Sequence, residues 1–213
     1  MSRPLLIIGA GGHAGVLIDI LRQQNREILG LVSPEIESKS KVFSGIEHFE
    51  NDDDVLKFNN KTIKLVNGIG SIPNNSLRSV IYSKFKALGY EFETVIASNA
   101  LVSIFAKLEE GVQIFAGALV QTNANIGVNT IINSGSIIEH DCIIGEHNHI
   151  APGVTLSGQV TTSEHVHIGT GASVIQTVSI GKYSIIGAGA TVTKNIADNM
   201  VYYPPKGLKK AIK

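Results

Sequence analysis

The stretch IGVNTIINSGSIIEHDCIIGEHNHI, residues 126–150, carries isoleucine at every sixth position. The same step of six extends in both directions, from Val102 to Val192, and only Thr162 breaks it. An α-helix repeats every 3.6 residues and a flat strand every two, so neither explains a step of six. The aliphatic members of the series are Val102, Leu108, Ile114, Val120, Ile126, Ile132, Ile138, Ile144, Ile150, Leu156, Ile168, Val174, Ile180, Ile186 and Val192.

This repeat predicts a left-handed parallel β-helix from about Val102 to Ile196. Each hexapeptide supplies one short strand and one turn, and three hexapeptides complete a coil of a triangular prism. About five coils are expected, with the aliphatic residues inside. Glycines that directly follow an aliphatic position, such as Gly127 and Gly145, supply turn conformations that other residues resist.

The amino-terminal part has the pattern of an α/β domain. Residues 4–10 form an apolar run typical of a buried parallel strand, and an amphipathic stretch, His13 to Gln24, follows it. The loop from Gly9 to Ala14 approximates GxGxxG/A, in which backbone amides approach a phosphate. The second predicted strand, over 27–32, ends in Ser33-Pro34, and Glu35 lies just beyond the position of the acidic residue in a dinucleotide site, which disfavours NAD binding.

A second glycine loop, Asn67 to Ser71, follows a predicted strand over 63–67 and precedes a predicted helix over 76–88. Both loops are expected at the carboxyl edge of the sheet, where they either outline a ligand cleft or form simple tight turns. The predicted organisation is a half-Rossmann α/β domain over residues 1–98, which includes a strand at 95–97. A β-helix domain over 99–198 and a carboxy-terminal tail over 199–213 follow it.

The bulk properties exclude several function classes. The formal net charge is zero, so no global field favours nucleic acid or an anionic membrane surface. The apolar runs are too short to span a bilayer, and we expect a soluble, cytoplasmic protein. Cys142 is the single cysteine, which excludes an internal disulfide and a thiolate zinc site. Its position in the repeat favours a packed thiol over a nucleophile.

The string Glu139-His140-Asp141 places a histidine beside a carboxylate at a predicted turn. Histidine accepts a proton near neutral pH, and an adjacent aspartate can orient the ring and stabilise the imidazolium. Such pairs also occur without function on protein surfaces, so both interpretations stay open. His147 and His149 bring no third ligand at a recognisable spacing, and no metal is predicted. His165 and His167 follow the break in the repeat at Thr162, and a solvated bulge is expected there.

The glycine-loop domain, the hexapeptide prism and the string from Glu139 to Gly145 together resemble the NeuD/PglD type of sugar O- and N-acyltransferases. The resemblance covers nearly the whole chain. It implies acetyl-CoA as co-substrate, no metal, and a homotrimer with active sites at the subunit interfaces. It also implies that His140 is the general base, that Asp141 raises its basicity, and that His149 contacts acetyl-CoA.

The same resemblance assigns the remaining contacts. It implies an acetyl-CoA groove lined by Gly158, Thr170 and Ala188, and an active-site position for Asn133. The residues expected to hold a nucleotide-linked sugar are Gly11, Gly12, His13, Ala14 and Gly68.

The chain departs from the family pattern in two places. Ser33-Pro34-Glu35 stands where the family often has an acidic pair that holds uracil. The segment Tyr202 to Lys206 replaces the usual GxPAK-like ending at the adenine end of the CoA site. Lys206 to Lys213 either supplies charge to the CoA phosphates or forms a solvated basic tail.

The leading hypothesis is N-acetylation of the 4-amino group of a UDP-4-amino-4,6-dideoxy sugar, as in bacillosamine-type pathways. The alternatives are O-acetylation of sialic acid or another sugar, and a non-catalytic trimeric scaffold that binds a nucleotide sugar. A gamma-type carbonic anhydrase is a further alternative on the same prism, and it requires three zinc histidines across a subunit interface.

Overall fold

The computed structural model describes residues 2–36 and 41–204. Its first part is a four-stranded parallel sheet with the strand order β3-β2-β1-β4 and a helix on each face. The elements are β1 (Leu5–Ile8), α1 (Gly12–Gln23), β2 (Ile28–Val32), β3 (His48–Phe49), β4 (Lys64–Asn67) and α2 (Leu77–Ala87), with short 3-10 helices at Lys41–Phe43 and Asp52–Lys57.

Strand β1 is buried on both sides because its alternate side chains meet different helices. Leu5 and Ile7 pack with the apolar face of α1, whereas Leu6 and Ile8 pack with that of α2. All four side chains are buried, which explains the continuous apolar run in the sequence. The carboxyl ends of β1 and β4 lie side by side, with Ile8 opposite Asn67. The two glycine loops therefore begin next to each other.

The second part is the predicted prism, and its first strand already begins at Val95. Its strands have two residues each and pair in parallel with the strand 18 residues away, over all but the last coil. Face 1 contains β5 (Val95–Ile96), β8 (Gln113–Ile114), β11 (Ile131–Ile132), β14 (His149–Ile150), β17 (His167–Ile168), β20 (Ile185–Ile186) and β22 (Val201–Tyr202). Face 2 contains β6 (Leu101–Val102), β9 (Leu119–Val120), β12 (Ile137–Ile138), β15 (Thr155–Leu156), β18 (Ser173–Val174) and β21 (Thr191–Val192). Face 3 contains β7 (Lys107–Leu108), β10 (Asn125–Ile126), β13 (Ile143–Ile144), β16 (Thr161–Thr162) and β19 (Ser179–Ile180).

The turns form three edges, which we call edge A between faces 1 and 2, edge B between faces 2 and 3, and edge C between faces 3 and 1. One residue in most turns adopts a left-handed conformation, which glycine and asparagine tolerate best. Edge A mostly uses glycine there, whereas edges B and C use mostly polar or aromatic residues such as Asp141 and His147. At this position edges B and C therefore mostly carry a side chain, whereas edge A carries none where glycine stands.

The predicted break at Thr162 is not a bulge. Strand β16 pairs in register with both neighbouring strands of face 3, and the Thr162 side chain is buried in the core. There its hydroxyl accepts a hydrogen bond from Nδ2 of Asn148 at 2.6 Å. Because the two polar residues satisfy each other, the coil stays regular. The prediction of a solvated bulge at His165 and His167 was therefore wrong.

The sequence prediction of an α/β domain followed by a left-handed β-helix is confirmed. In the described ranges 2–36 and 41–204, no helix is both long enough and apolar enough to cross a membrane.

Candidate active site

His140 and Asp141 lie on edge B, in the turn between β12 and β13. Nδ1 of His140 and Oδ2 of Asp141 are 2.7 Å apart, and about half of the imidazole is exposed. Oδ1 of the same carboxylate accepts a hydrogen bond from Asn123, one coil away, at 3.1 Å. These two hydrogen bonds lower the pKa of Asp141 below its usual value. The carboxylate is thus charged at neutral pH and holds the ring by Nδ1, so Nε2 remains available to take a proton.

Gly158 lies directly beneath this histidine, one coil further along edge B. A methyl group on Gly158 would come within 2.6 Å of Cε1 and 2.7 Å of Nε2 of His140. The glycine therefore provides the space that the imidazole occupies. In the structure Gly158 thus lies below the predicted base.

Cys142 follows the pair but points into the prism. Its side chain is fully buried and its thiol donates to the carbonyl oxygen of Ser157 at 3.3 Å. Burial raises the pKa of the thiol to about 11, so almost none of it is ionised at neutral pH. A covalent acyl-cysteine has no support in this geometry.

The other predicted prism residues lie away from His140. His149 projects from face 1, and its Nε2 is 3.2 Å from Nδ2 of Asn133 at edge A. Burial, followed by the neighbouring His167, lowers the pKa of His149 to about 3, so its ring is neutral. Thr170 and Ala188 occupy the same turn position in successive coils of edge A, and both are exposed. Within a single chain, His140 and Gly158 therefore lie on edge B, whereas the other predicted groove residues, Thr170 and Ala188, lie on edge A.

The first glycine loop opens onto a cleft of about 320 Å³ lined by Ala10, Gly11, Gly12, Glu35 and Ile36. Gly11 and Gly12 are exposed at the amino terminus of α1, where unpaired backbone amides favour an anion. The carboxylate-bearing residue Glu35 also lines this cleft. The cleft therefore combines a helix amino terminus with one carboxylate.

Gly68 and Ala14 are buried behind the cleft and contact each other. A methyl group on Gly68 would lie 2.7 Å from the carbonyl oxygen of Ile8 and 2.9 Å from Cβ of Ala14. His13 is turned towards the prism, where its Nε2 is 2.8 Å from Oε1 of Gln113. Burial, more than the charge of Arg78, lowers the pKa of His13 to about 4. His13 thus contacts the prism, whereas Gly68 and Ala14 pack within the α/β domain.

Sequence reasoning missed a buried polar cluster at the junction of the two domains, which we call the junction cluster. It consists of Asn67, Arg78, Gln113 and Asn129, each at most 5% exposed. Gln113 donates to the carbonyl oxygen of Asn67 at 2.8 Å, and Nδ2 of Asn67 donates to Oδ1 of Asn129 at 3.2 Å. No periodic pattern marks these residues, because they come from four separate elements.

Sequence reasoning also missed a ring stack along edge C. His147, His165 and Tyr183 are spaced by 18 residues, and their ring centroids follow each other at 4.9 and 4.7 Å. With His167 and the loop from Ser71 to Ser76 they border a second cavity of about 250 Å³. The 18-residue spacing is the signal that could have revealed this stack. In the part of the chain that the structure describes, no group of three or more histidine, cysteine or acidic side chains could hold a metal ion.

Comparisons with known proteins agree with this architecture. Residues 4–85 match the family model of the PglD N-terminal domain, and residues 123–158 match that of the bacterial transferase hexapeptide (six repeats). A comparison with curated protein sequences returned no match.

Among solved structures, PerB from Caulobacter crescentus, in complex with CoA and GDP-perosamine, is 30% identical to the chain. The match covers 97% of each chain, with a TM-score of 0.85. The acetyltransferase domain of PglB from Neisseria gonorrhoeae, in complex with acetyl coenzyme A, is 27% identical. It covers 98% of this chain and 100% of its own, with a TM-score of 0.86. WeeI from Acinetobacter baumannii, at 18% identity and a TM-score of 0.58, shares the fold.

The fold and the matched repeats define a hexapeptide-repeat acetyltransferase with an amino-terminal α/β domain. The chain belongs to the PglD/NeuD-like family, and it is an acetyl-CoA-dependent sugar N-acetyltransferase. The predicted family and the predicted co-substrate are thereby confirmed.

Proposed function

We propose that the chain transfers the acetyl group of acetyl-CoA to the 4-amino group of a nucleotide-linked 4-amino-4,6-dideoxy sugar, with His140 as general base. The observation that carries this proposal is the His140–Asp141 pair on an open edge of the prism. Its geometry leaves Nε2 available while Nδ1 is held by the carboxylate.

In the proposed reaction the neutral amine attacks the thioester carbonyl directly. Nε2 of His140 takes the amine proton as the new C–N bond forms, and Asp141 stabilises the resulting imidazolium. Collapse of the tetrahedral intermediate breaks the C–S bond, and the imidazolium returns the proton to the departing CoA thiolate. Backbone amides of the prism stabilise the oxyanion, as preorganised donors do in other acyl transfers.

The nucleotide end of the acceptor fits the cleft at the first glycine loop. The diphosphate would lie at the amino terminus of α1, beside Gly11 and Gly12, and the base would approach Glu35. A UDP-linked sugar is the acceptor that the family resemblance implies.

A GDP-linked sugar is the second candidate, because the relative at 30% identity holds GDP-perosamine. The carboxylate of Glu35 can accept from the single ring N–H of uracil, or from the ring N–H and amino group of guanine together.

A second copy of the chain would complete the site. His140 lies on edge B, whereas Asn133, Thr170 and Ala188 lie on edge A of the same prism. In the proposed homotrimer, edge B of one subunit meets edge A of the next and encloses the acetyl-CoA groove. Mixing subunits with His140→Asn and subunits with Asn133→Ala should then restore part of the activity that each variant lacks. Mixtures no more active than the separate variants would contradict a shared site.

The direct test replaces the base. His140→Asn should lower kcat by about 100-fold or more, because general acid–base catalysis contributes that much, and should leave acetyl-CoA binding unchanged. His165→Asn is the matched control, since it makes the same change at another prism edge. Thiol release is measured with UDP- and GDP-linked 4-amino sugars and with free sialic acid as acceptors.

Three results would contradict the proposal. Full turnover by His140→Asn would exclude this residue as the base. Turnover with sialic acid alone would indicate O-acetylation. If none of the acceptors tested supports turnover, every acceptor proposed is excluded.

A further inference from the structure

Arg78 is a buried cation that forms no ion pair with a carboxylate of residues 2–36 or 41–204. It lies in the first turn of α2, and only 5% of it is exposed. Its Nη1 donates to the carbonyl oxygens of Asn67 at 2.9 Å and Ile69 at 2.7 Å, and its Nε donates to that of Asn129 at 3.2 Å. Its Nη2 has no hydrogen-bond partner among the described residues.

Burying an ionised side chain is costly, and proteins normally compensate with an opposite charge. Here the compensation comes from backbone carbonyl groups of two different parts of the chain. Asn67 and Ile69 belong to the end of β4 and its loop, whereas Asn129 belongs to edge C of the prism. The guanidinium thus binds the loop and the prism together, which a planar donor with several N–H groups can do.

The two loop carbonyls stand on either side of Gly68, so Arg78 fixes the backbone on both sides of this glycine. Gly68 in turn supports the first glycine loop. A methyl group on Gly9 would lie 3.0 Å from Cδ1 of Ile69 and 3.1 Å from the carbonyl group of Gly68. Gly68 also packs closely against the first turn of α1, since a methyl group on Gly68 would lie 2.9 Å from Cβ of Ala14. Arg78 is therefore linked through the Gly68 loop to the elements that border the cleft at Gly11.

We infer that Arg78 is a positioning residue for the nucleotide end of the acceptor: it holds the Gly68 loop against the prism and thereby the amino terminus of α1 in its binding position. This inference rests on the proposed function, because it assumes that a nucleotide occupies the cleft. Arg78 does not line that cleft, so it acts through the loop rather than by contact with the ligand.

The chemistry of the guanidinium predicts that lysine is a poor substitute. One ammonium group on a flexible stem cannot reach three carbonyl oxygens from two elements in the same plane. Each carbonyl that loses its donor in a buried place costs free energy, and the loop can recover it only by moving towards water. Arg78→Met removes every donor and keeps an unbranched apolar side chain that is shorter than that of arginine.

The experiment measures the affinity of the full-length protein for UDP, GDP and CoA by isothermal titration calorimetry. Arg78→Met should weaken nucleotide binding by about tenfold or more, while CoA binding changes by less than about twofold. Arg78→Lys should lie between this variant and the wild type. Lys84→Met is the matched control, since it removes an exposed cation from the same helix. With acceptor sugar, the KM for the sugar should rise while kcat and the KM for acetyl-CoA stay close to the wild-type values.

Nucleotide affinity at the wild-type level in Arg78→Met would overturn the inference, and so would an equal loss of nucleotide and CoA affinity, which indicates general destabilisation. Should Arg78→Met not fold, Arg78→Lys decides: wild-type nucleotide affinity overturns the inference, and a selective loss supports it. A wild-type protein that binds neither UDP nor GDP would contradict the nucleotide part of the proposed function, and the inference would fall with it.

Discussion

Asn148 and Thr162 both depart from the hexapeptide pattern, and each explains the other. Nδ2 of Asn148 donates to the hydroxyl of Thr162 and to the carbonyl oxygen of Ser163, while its Oδ1 accepts from the backbone of Val166. Both side chains are at most 2% exposed. The pair is therefore a satisfied polar contact inside an otherwise aliphatic prism.

Thr162→Val should destabilise the protein by about 1–3 kcal/mol, because it leaves a buried amide donor with one partner fewer. The gain in aliphatic volume does not replace that hydrogen bond. Urea unfolding measures the effect, with Thr161→Val on the outward side of the same strand as control. Equal stability of the Thr162→Val variant and the wild type would show that the contact contributes nothing.

Asp141 occupies a left-handed backbone position, with a φ of 59°. Because asparagine tolerates that conformation, Asp141→Asn should keep the turn and remove the negative charge beside the base. The neutral amide stabilises the imidazolium less, so we expect kcat to fall by about 10-fold or more, with little change in the KM for acetyl-CoA. Steady-state kinetics measure both constants. An unchanged kcat would mean that the aspartate does not assist His140.

At the scale of elements, the proposed catalysis depends on how one coil of the prism packs on the next. The imidazole of His140 occupies the space above Gly158, which only glycine leaves free. Gly158→Ala should tilt the ring away from Asp141 and lower kcat by about 10-fold, because a misplaced base loses its alignment. The melting temperature should change little, since a side-chain ring moves rather than backbone. Unchanged kcat, measured by thiol release, would contradict this role of the glycine.

Hydrophobic periodicity predicted most of the helices and strands because it indicates which side of each segment is buried. Helix α2 was expected over 76–88 and runs from Leu77 to Ala87. The repeat likewise marked nearly every inward position of the prism. It could not show that His165 belongs to a ring stack, or that Arg78 joins two domains, because such contacts depend on three-dimensional neighbours. The pair His140–Asp141 was identifiable because its partners are adjacent in sequence.

At the scale of the whole molecule, the main feature is a group of buried histidines that stay neutral. Burial, with a smaller contribution from the Arg78 charge, lowers the pKa of His13 and of His147 to about 4, and that of His149 to about 3. In the unfolded chain these rings take up protons below about pH 6.5, whereas in the folded protein they become protonated only at a much lower pH. The unfolded state therefore binds more protons in that range.

The free energy of unfolding should change little near neutral pH and fall as the pH drops from about 6.5 towards 4. Urea unfolding across this range measures the decline. His147→Asn should make the decline shallower but not abolish it, because asparagine accepts the left-handed turn and does not titrate, while His13 and His149 remain. The same decline in this variant would assign the pH dependence to other groups.

The sequence predicted which residues form the proposed site, but it did not predict how they are arranged in space. Spacing along the repeat assigns each residue to an edge of the prism, and His140 and Asn133 fall on different edges. In the proposed homotrimer, which edges meet would depend on the packing of several copies, and hydrophobic periodicity within one chain does not encode that packing. The nucleotide of the proposed acceptor is equally hard to predict from the sequence, since the carboxylate of Glu35 could accept hydrogen bonds from uracil or from guanine.

The most direct test of the central claim is the identity of the product. The protein is incubated with acetyl-CoA carrying a carbon-13 carbonyl and with a UDP- or GDP-linked 4-amino-4,6-dideoxy sugar, and the product is characterised by NMR. The account predicts a carbon-13 amide on the nitrogen at position 4 of the nucleotide-linked sugar. A labelled ester on a hydroxyl group, or label recovered only as free acetate, would contradict it.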